Sequence, residues 1–330
     1  MAAGKFPSLR LSRLRQNQSV RNMLDQPVPA AEKFIWPVFV VEGSNKEIPI
    51  DSMPGQFRYS LDRLCQAIEP VANMGVGGIM LFASIDSSKK HADAHYVYDD
   101  KGLTQQAIKA VKSRFPDLII FADVCICSYT DHGHCAILDK TGKVISHKSL
   151  DALTRAAVSY AECGAHVAPS AMMDGQISAI RNGLDTNGFI DTILMSYSTK
   201  FASAMYGPFR EAADCVPGKG DRQGYQAMYG DPRRALLESV LDEDEGADIL
   251  MVKPSLFYLD ILSKIREESL LPLAAYNVSG EYSMLIATAD RGWGDLYPMV
   301  RESTAALVRA GTDILISYWA KDYDKIWGDQ

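Results

Sequence analysis

Three cysteines stand close together at Cys125, Cys127 and Cys135, the first two in alternation and the third beyond a short loop containing Gly133. A lone cysteine is commonly a small buried hydrophobe. Three within eleven residues, just past an apolar run that ends Asp123-Val124, read instead as a thiolate metal site. Soft sulfur donors suit zinc, and three protein ligands leave a fourth position for water or substrate. His132 and His134 share that loop and read as supporting or structural residues. Cys65, Cys163 and Cys215 are isolated in sequence and read as structural.

Two lysines follow apolar runs in the same way: Lys200 closes Ser196-Tyr197-Ser198-Thr199-Lys200, and Lys253 closes Met251-Val252-Lys253-Pro254. One lysine at a strand end is ordinarily a snorkelling surface residue. Two at the ends of successive strands read as a pair of nucleophiles. Pro254 disfavours helical geometry at Lys253 and so aims it off the strand end. An amine attacks a carbonyl only when neutral, and both desolvation and a nearby cation favour the neutral form. A second lysine and a metal ion supply that cation, and the expected chemistry is imine formation with a keto substrate. Ser279 and Tyr318 follow two further runs and offer neutral donors to a substrate carboxylate. Arg210 and Arg222 offer charged forks for a second one. The set points to two acid-bearing substrates beside two lysines.

These residues need a scaffold that gathers strand ends. Eight short apolar runs provide candidates, at Phe34–Val41, Gly78–Phe82, Leu118–Val124, His166–Pro169, Thr192–Ser198, Asp248–Val252, Leu273–Asn277 and Asp313–Tyr318. Between them lie stretches with helical spacing and stop signals. Leu61 to Ala72 stops at Gly75, Thr104 to Phe115 before Pro116, Ile177 to Leu184 near Gly188, and Tyr258 to Glu268 before Pro272. Alternating strands and helices predict a parallel sheet with covering helices. Eight units fit a closed (β/α)8 TIM barrel, whose chemistry sits at the C-terminal strand ends; an open doubly wound sheet is the second possibility. The spacing predicts one catalytic domain over residues 31–330, preceded by an extended N-terminal arm, residues 1–30. The arm mixes Arg10, Arg13, Arg15 and Arg21 with Leu11, Leu14, Val20 and Met23 and reads as a docking arm for another subunit. Residues 201–231 carry Gly207, Gly218, Gly220, Gly224 and Gly230 together with Tyr206, Phe209, Arg210, Arg222 and Gln226. A loop of this length in a compact domain is usually functional, and this one reads as a lid.

Composition narrows the partners. The 34 basic and 41 acidic residues give a net charge of -7, which argues against the basic face that nucleic acid requires. No apolar run approaches the ~18 residues of a membrane helix. The N-terminus lacks the apolar core of a secretory signal. Six cysteines in 330 residues do not make a disulfide scaffold, and their clustering fits metal binding in a reducing, cytoplasmic compartment. The Arg/Ser-rich, acid-poor stretch before Asp25 leaves an organellar stroma as the alternative.

Several runs resemble the signatures of the 5-aminolevulinate dehydratases. They are SMPG at Ser52–Gly55, DVCICSYTDHGHC at Asp123–Cys135, APSAMMDG at Ala168–Gly175, MSYSTKFAS at Met195–Ser203, YGPFREA at Tyr206–Ala212, GDR at Gly220–Arg222, MVKP at Met251–Pro254 and VSGEY at Val278–Tyr282. The resemblance spans nearly the whole chain. It implies a barrel, an octamer built on N-terminal arms, and condensation of two 5-aminolevulinates to porphobilinogen with loss of two waters. It further implies that Lys253 and Lys200 form Schiff bases with the propionate-side and acetate-side substrates. Ser279 and Tyr318 match the carboxylate ligands of the first substrate; Arg210, Arg222 and Gln226 match those of the second. Asp123 and Ser170 match polar residues beside the first substrate's amino group, and Tyr206 and Phe209 belong to the lid over both. Cys125, Cys127 and Cys135 match the ligands of the zinc-dependent branch.

The chain departs from the family pattern at Ala171, Gly224, Ser255, Phe257 and Asn277, none of them catalytic. Gly224 replaces a cysteine that in some members helps bind a second zinc. Arg234 stands where a glutamate contributes to an activating magnesium site in many members. A guanidinium offers no oxygen ligand. The expectation is that magnesium does not stimulate this chain and that Arg234 makes a contact in its place, with Glu238 one turn on as a candidate partner. Two rival readings are a class I aldolase-type lyase with one Schiff-base lysine, and a non-catalytic thiolate metal sensor. Neither employs both lysines, the thiols and the arginine-bearing lid.

Overall fold

The computed structural model describes residues 4–5, 7–25, 28–215, 218 and 222–328. Gly220 of the GDR run, four further positions of the lid segment and six of the arm lie outside the described residues. Eight parallel strands form the sheet: β1 (Phe34–Val41), β2 (Gly78–Ser84), β3 (Ile119–Val124), β4 (His166–Pro169), β5 (Met195–Lys200), β6 (Ile249–Lys253), β7 (Leu273–Asn277) and β8 (Ile314–Ser317). They are hydrogen-bonded in the order β4-β3-β2-β1-β8-β7-β6-β5. The two ends meet at a single parallel bridge, Val167 to Leu194, with the Val167 N–H donating to the Ile193 carbonyl at 3.1 Å. The sheet is thus a nearly closed eight-stranded barrel, the TIM-barrel form, and the open doubly wound alternative is ruled out.

The apolar runs become strands because a parallel sheet covered by helices buries both of its faces, so its strands tolerate unbroken hydrophobic sequence. All eight residues of β1 are buried. Helices at Leu61–Asn73, Leu103–Arg114, Gln176–Thr186 and Leu259–Glu268 fall within two residues of the expected bounds. The fifth strand is displaced from expectation. It begins at Met195 rather than Thr192 and runs on to Lys200, because its pairing with β6 shifts between Ser196 and Thr199. Such an irregularity kinks a strand and re-aims the side chains beyond it. Here it brings Lys200 opposite Lys253.

An antiparallel pair, Glu47–Pro49 with Phe57–Ser60, was not foreseen. Its loop packs over the β7–β8 side of the barrel mouth. Tyr282 Oη donates to the Pro54 carbonyl at 2.7 Å, and Gln56 Nε2 donates to the Tyr318 carbonyl at 3.3 Å. Among the described residues no helix is long and apolar enough to cross a membrane. The arm forms a short 3-10 turn, Leu11–Arg15, and a helix, Gln18–Leu24, neither of which buries a residue. Met23 is 83% exposed and Leu11 57%.

Candidate active site

The C-terminal ends of β3, β4, β5 and β6 converge on one pocket lined by Asp123, Cys125, Cys127, Ser170, Lys200 and Lys253, with Tyr206, Phe209 and Arg222 of the lid above them. Lys200 and Lys253 end neighbouring parallel strands as directly paired residues. Paired strands run about 4.8 Å apart, so the two side chains rise side by side. Both are buried. Lys200 Nζ donates to the Ser170 carbonyl at 2.5 Å. Lys253 Nζ has rings around it: Tyr276 at 4.0 Å from the centroid, Phe209 at 4.8 Å and Tyr197 at 5.0 Å.

Burial and then the charge of Lys200 hold Lys253 down to about 7, against the pull of Asp123. Desolvation in turn pushes Asp123 above the usual carboxylate range, although both lysines oppose it. Asp123 Oδ1 has no hydrogen-bond partner among the described residues, nor do Arg210 Nε, Arg222 Nε and Gln226 Nε2. Buried polar atoms are rarely left so, because each such omission costs ~1–3 kcal/mol. Asp123 and Arg222 line the pocket, where a polar ligand would satisfy them; Arg210 and Gln226 lie outside its lining.

The thiols of Cys125, Cys127 and Cys135 lie within 4.8 Å of one another, all buried, with Cys125 Sγ 3.3 Å from Cys127 Sγ. Their hydrogen bonds to each other push Cys125 up and Cys127 down. His134 supports the loop through Tyr225, Nδ1 to Oη 3.2 Å. Cys215 is not the isolated structural residue expected from sequence. The fold returns it to the cluster, its thiol hydrogen-bonded to Cys127 and held down to about 7 by that bond. No spacing rule links positions so far apart; only lid closure shows the contact.

The 201–231 segment is anchored at the lysines themselves. The Phe201 N–H donates to the Lys253 carbonyl at 2.8 Å, and the Ala227 N–H to the Lys200 carbonyl at 2.9 Å. A short turn, Ala204–Tyr206, and a helix, Gly207–Ala212, carry Tyr206, Phe209 and Arg210. Ser128 Oγ donates to the Ala213 carbonyl at 3.2 Å, and Arg222 Nη2 to the carbonyls of Gly133 and Cys215 at 3.0 and 2.7 Å. These bonds fasten the lid to the thiol loop. Ser279 and Tyr318 are buried behind this layer rather than lining the pocket. Ser279 Oγ accepts the Phe209 N–H at 3.0 Å, and Tyr318 Oη lies 3.5 Å from Tyr276 Oη.

Comparison with known proteins now decides the family. The pattern described as delta-aminolevulinic acid dehydratase matches residues 8–326. A relative of that name from Synechococcus elongatus is 45% identical over 321 residues, covering 96% of this chain and 98% of its own. One from Bacillus subtilis is 42% identical over 314 residues, covering 95% of this chain and 96% of its own. The crystal structure of the Toxoplasma gondii enzyme, in complex with its reaction product porphobilinogen, superposes with a TM-score of 0.94 at 41% identity over 96% of this chain and 91% of that one. The chain belongs to the delta-aminolevulinic acid dehydratase family. Its activity is the family's: two molecules of 5-aminolevulinate condense asymmetrically to porphobilinogen with loss of two waters, a lyase step in tetrapyrrole synthesis.

Two further residues matter that sequence reasoning did not assign. Glu281, quoted only within the VSGEY run of this family, is fully buried and ties the β6 and β7 ends together. It accepts the Leu256 N–H on Oε1 at 2.9 Å, and the Val278 N–H and Asn277 Nδ2 on Oε2 at 2.9 and 3.1 Å. Gly280 lets the lid approach, since a Cβ there would stand 2.5 Å from the Met205 carbonyl oxygen. Arg234 pairs with Asp231, Nε to Oδ2 3.1 Å, and not with Glu238. The N-cap geometry of Asp231 turns its carboxylate back toward Arg234, which preempts the contact one turn on.

The pairing of the amines generates a pH expectation. An amine attacks a carbonyl only when neutral, so if Lys253 captures a small keto acid, borohydride trapping of the adduct should fall about tenfold per pH unit below about 7. Lys200→Gln removes a cation that holds Lys253 down, and the midpoint should move to higher pH. Mass-spectrometric quantification of the Lys253 adduct against pH checks this; an unmoved midpoint refutes the coupling.

Proposed function

We propose that the two 5-aminolevulinates are held as imines, the propionate-side molecule on Lys253 and the acetate-side molecule on Lys200, beside a zinc ion bound by Cys125, Cys127 and Cys135. The observation that carries this reading is the buried, in-register lysine pair next to three converging thiols. Three soft sulfurs at this separation fit zinc and leave a position open. When bound, zinc supplies Lewis acidity that lowers the pKa of an amine or water beside it.

The chain's own residues do the rest. Neutral Lys253 Nζ attacks the ketone carbon; a C=N bond forms and the carbonyl oxygen leaves as water. Lys200 does the same with the second ketone, and product release returns both amines. Asp123, raised by burial, is poised to hold or give up a proton at Oδ1, the atom without a partner, near the first substrate's amino group. Ser170 steadies it through a side-chain hydrogen bond. Arg210, Arg222 and Gln226 take the second carboxylate with the nitrogen atoms now lacking partners. For the first carboxylate, Ser279 must redirect its hydroxyl proton from the Met205 carbonyl, a long 3.4 Å bond, while Tyr318 turns from Tyr276. Tyr206 and Phe209 close over both substrates and exclude water. Arg234 and Asp231 pair where a cation would otherwise sit, so magnesium plays no activating part in this reading.

Replacing a nucleophile that acts as part of a unit commonly costs several powers of ten in turnover. Lys253→Ala and Lys200→Ala should each lose activity to that extent by a pyrrole-product assay, with circular dichroism unchanged. Near-normal turnover in either variant defeats the double-imine reading. Chelation of the metal should likewise stop turnover without loss of helix, and zinc alone should restore it; full activity in metal-free protein would rule zinc out.

The exposed apolar residues of the arm find no place on their own barrel, and we infer that they dock on another subunit of a homo-octamer. Deleting residues 1–30 should shift the protein to smaller assemblies in sedimentation velocity. An unchanged sedimentation coefficient, corrected for mass, would show that the arm does not hold the subunits together.

A further inference from the structure

Outside the pocket, the loop leaving β2 carries His91, Asp93 and His95, all exposed. Their ligand atoms lie within 4.8 Å of one another. His95 Nδ1 is 2.7 Å from Asp93 Oδ1, and the two imidazole rings lie with centroids 4.7 Å apart, their planes tilted by 48°. An Asp–His contact on the surface contributes little and gives no reason for the second imidazole to lie against the first. Two imidazolium rings this close repel each other, whereas a shared cation draws the lone pairs of two neutral, mutually tilted imidazoles toward one point. The loop is also held in shape from beneath. The His91 N–H donates to the Tyr129 carbonyl at 3.0 Å, and the Ala94 N–H to the His91 carbonyl at 3.0 Å. Ala94 is fully buried with a left-handed φ of 51°, which turns the chain between the carboxylate and the second histidine.

We propose that His91, Asp93 and His95 form a second metal site, for a divalent transition ion of the zinc, nickel and copper class, separate from the thiol cluster. Two imidazoles and one carboxylate make a borderline donor set that suits these ions, while magnesium and calcium prefer oxygen throughout. The site occupies a strategic loop: the neighbouring Lys90 reaches the lid, with Nζ 2.6 Å from Asp214 Oδ2, and Tyr129 lies two residues beyond Cys127. An ion here braces the loop from which the lid is held.

The test uses intact, zinc-loaded protein titrated with nickel(II) by calorimetry, followed by metal analysis after desalting. One saturable nickel per chain is expected in the wild type. The exposed double variant His91→Ala/His95→Ala should lose it, and Cys125→Ser, which disrupts the thiol site, should keep it. Copper(II) in place of nickel should show coupling to imidazole nitrogens by electron paramagnetic resonance in the wild type and not in the double variant. Absence of saturable nickel in the wild type, its retention in the double variant, or its loss in Cys125→Ser would each overturn the proposal.

Discussion

Lys253 stands in register with Lys200 on a neighbouring strand inside the barrel, with a second cation beside it and little water around it. Burial penalises its ammonium, and the charge of Lys200 penalises it further. One nearby carboxylate, Asp123, offsets part of this and is itself pushed toward protonation. The aromatic walls act in both directions. Their faces favour a cation over the ring, but their bulk removes the solvent that would stabilise it. Because Lys253 is held down to about 7, desolvation evidently wins. A nucleophilic amine near neutral pH is therefore a property of where the strands place it, and the kink in β5 is part of that placement.

The same constraint explains the division between scaffold and lid. A dry pocket requires a cover, and the cover must make its own hydrogen bonds without leaving backbone groups unpaired. Among the described residues of the 201–231 segment, the Phe201 and Ala227 N–H groups bond to the Lys253 and Lys200 carbonyls, and the Ala213 carbonyl accepts from Ser128 of the thiol loop. Ser279 shows the consequence. Its hydroxyl oxygen accepts the Phe209 N–H from the covering segment, and its proton is directed at the Met205 carbonyl of the same segment. Any group that takes the Ser279 proton therefore competes with a bond that helps hold this cover in place.

Much of this was legible in the sequence, for identifiable reasons. β1, β4 and β7 match the expected bounds because buried parallel strands write themselves as short apolar runs. The lysines and the cysteine triad stood out because their chemistry is local to single strand ends. β5 was misplaced because a register irregularity is a relation between two strands and leaves no mark in one. Cys215 was misread for a similar reason: its partners Cys127 and Arg222 come from other segments, and only folding of the lid brings them together. Glu281 was hidden in a motif that reads as a helix start, while its carboxylate works as a brace between two loops. His91, Asp93 and His95 lay in a loop without periodicity, and no long-range pattern drew attention to them.

Charge distribution completes the physical picture. The chain as a whole carries -7, yet the charged side chains lining the pocket are Lys200, Lys253 and Arg222 against Asp123 alone. An acidic exterior does not steer anions, so attraction must come from the pocket, where low-dielectric walls concentrate the field of a few cations. Two substrates bring two carboxylates. Arg222 is permanently charged and cannot release that charge, whereas Lys253, held down to about 7, gains or loses its proton near neutrality. A guanidinium is accordingly suited to hold a carboxylate at constant charge, and the Lys253 amine is suited to change protonation. Exchanging Arg222 for lysine would keep the charge but lose both the fork and that permanence, which is why the two kinds of cation are not interchangeable in this site.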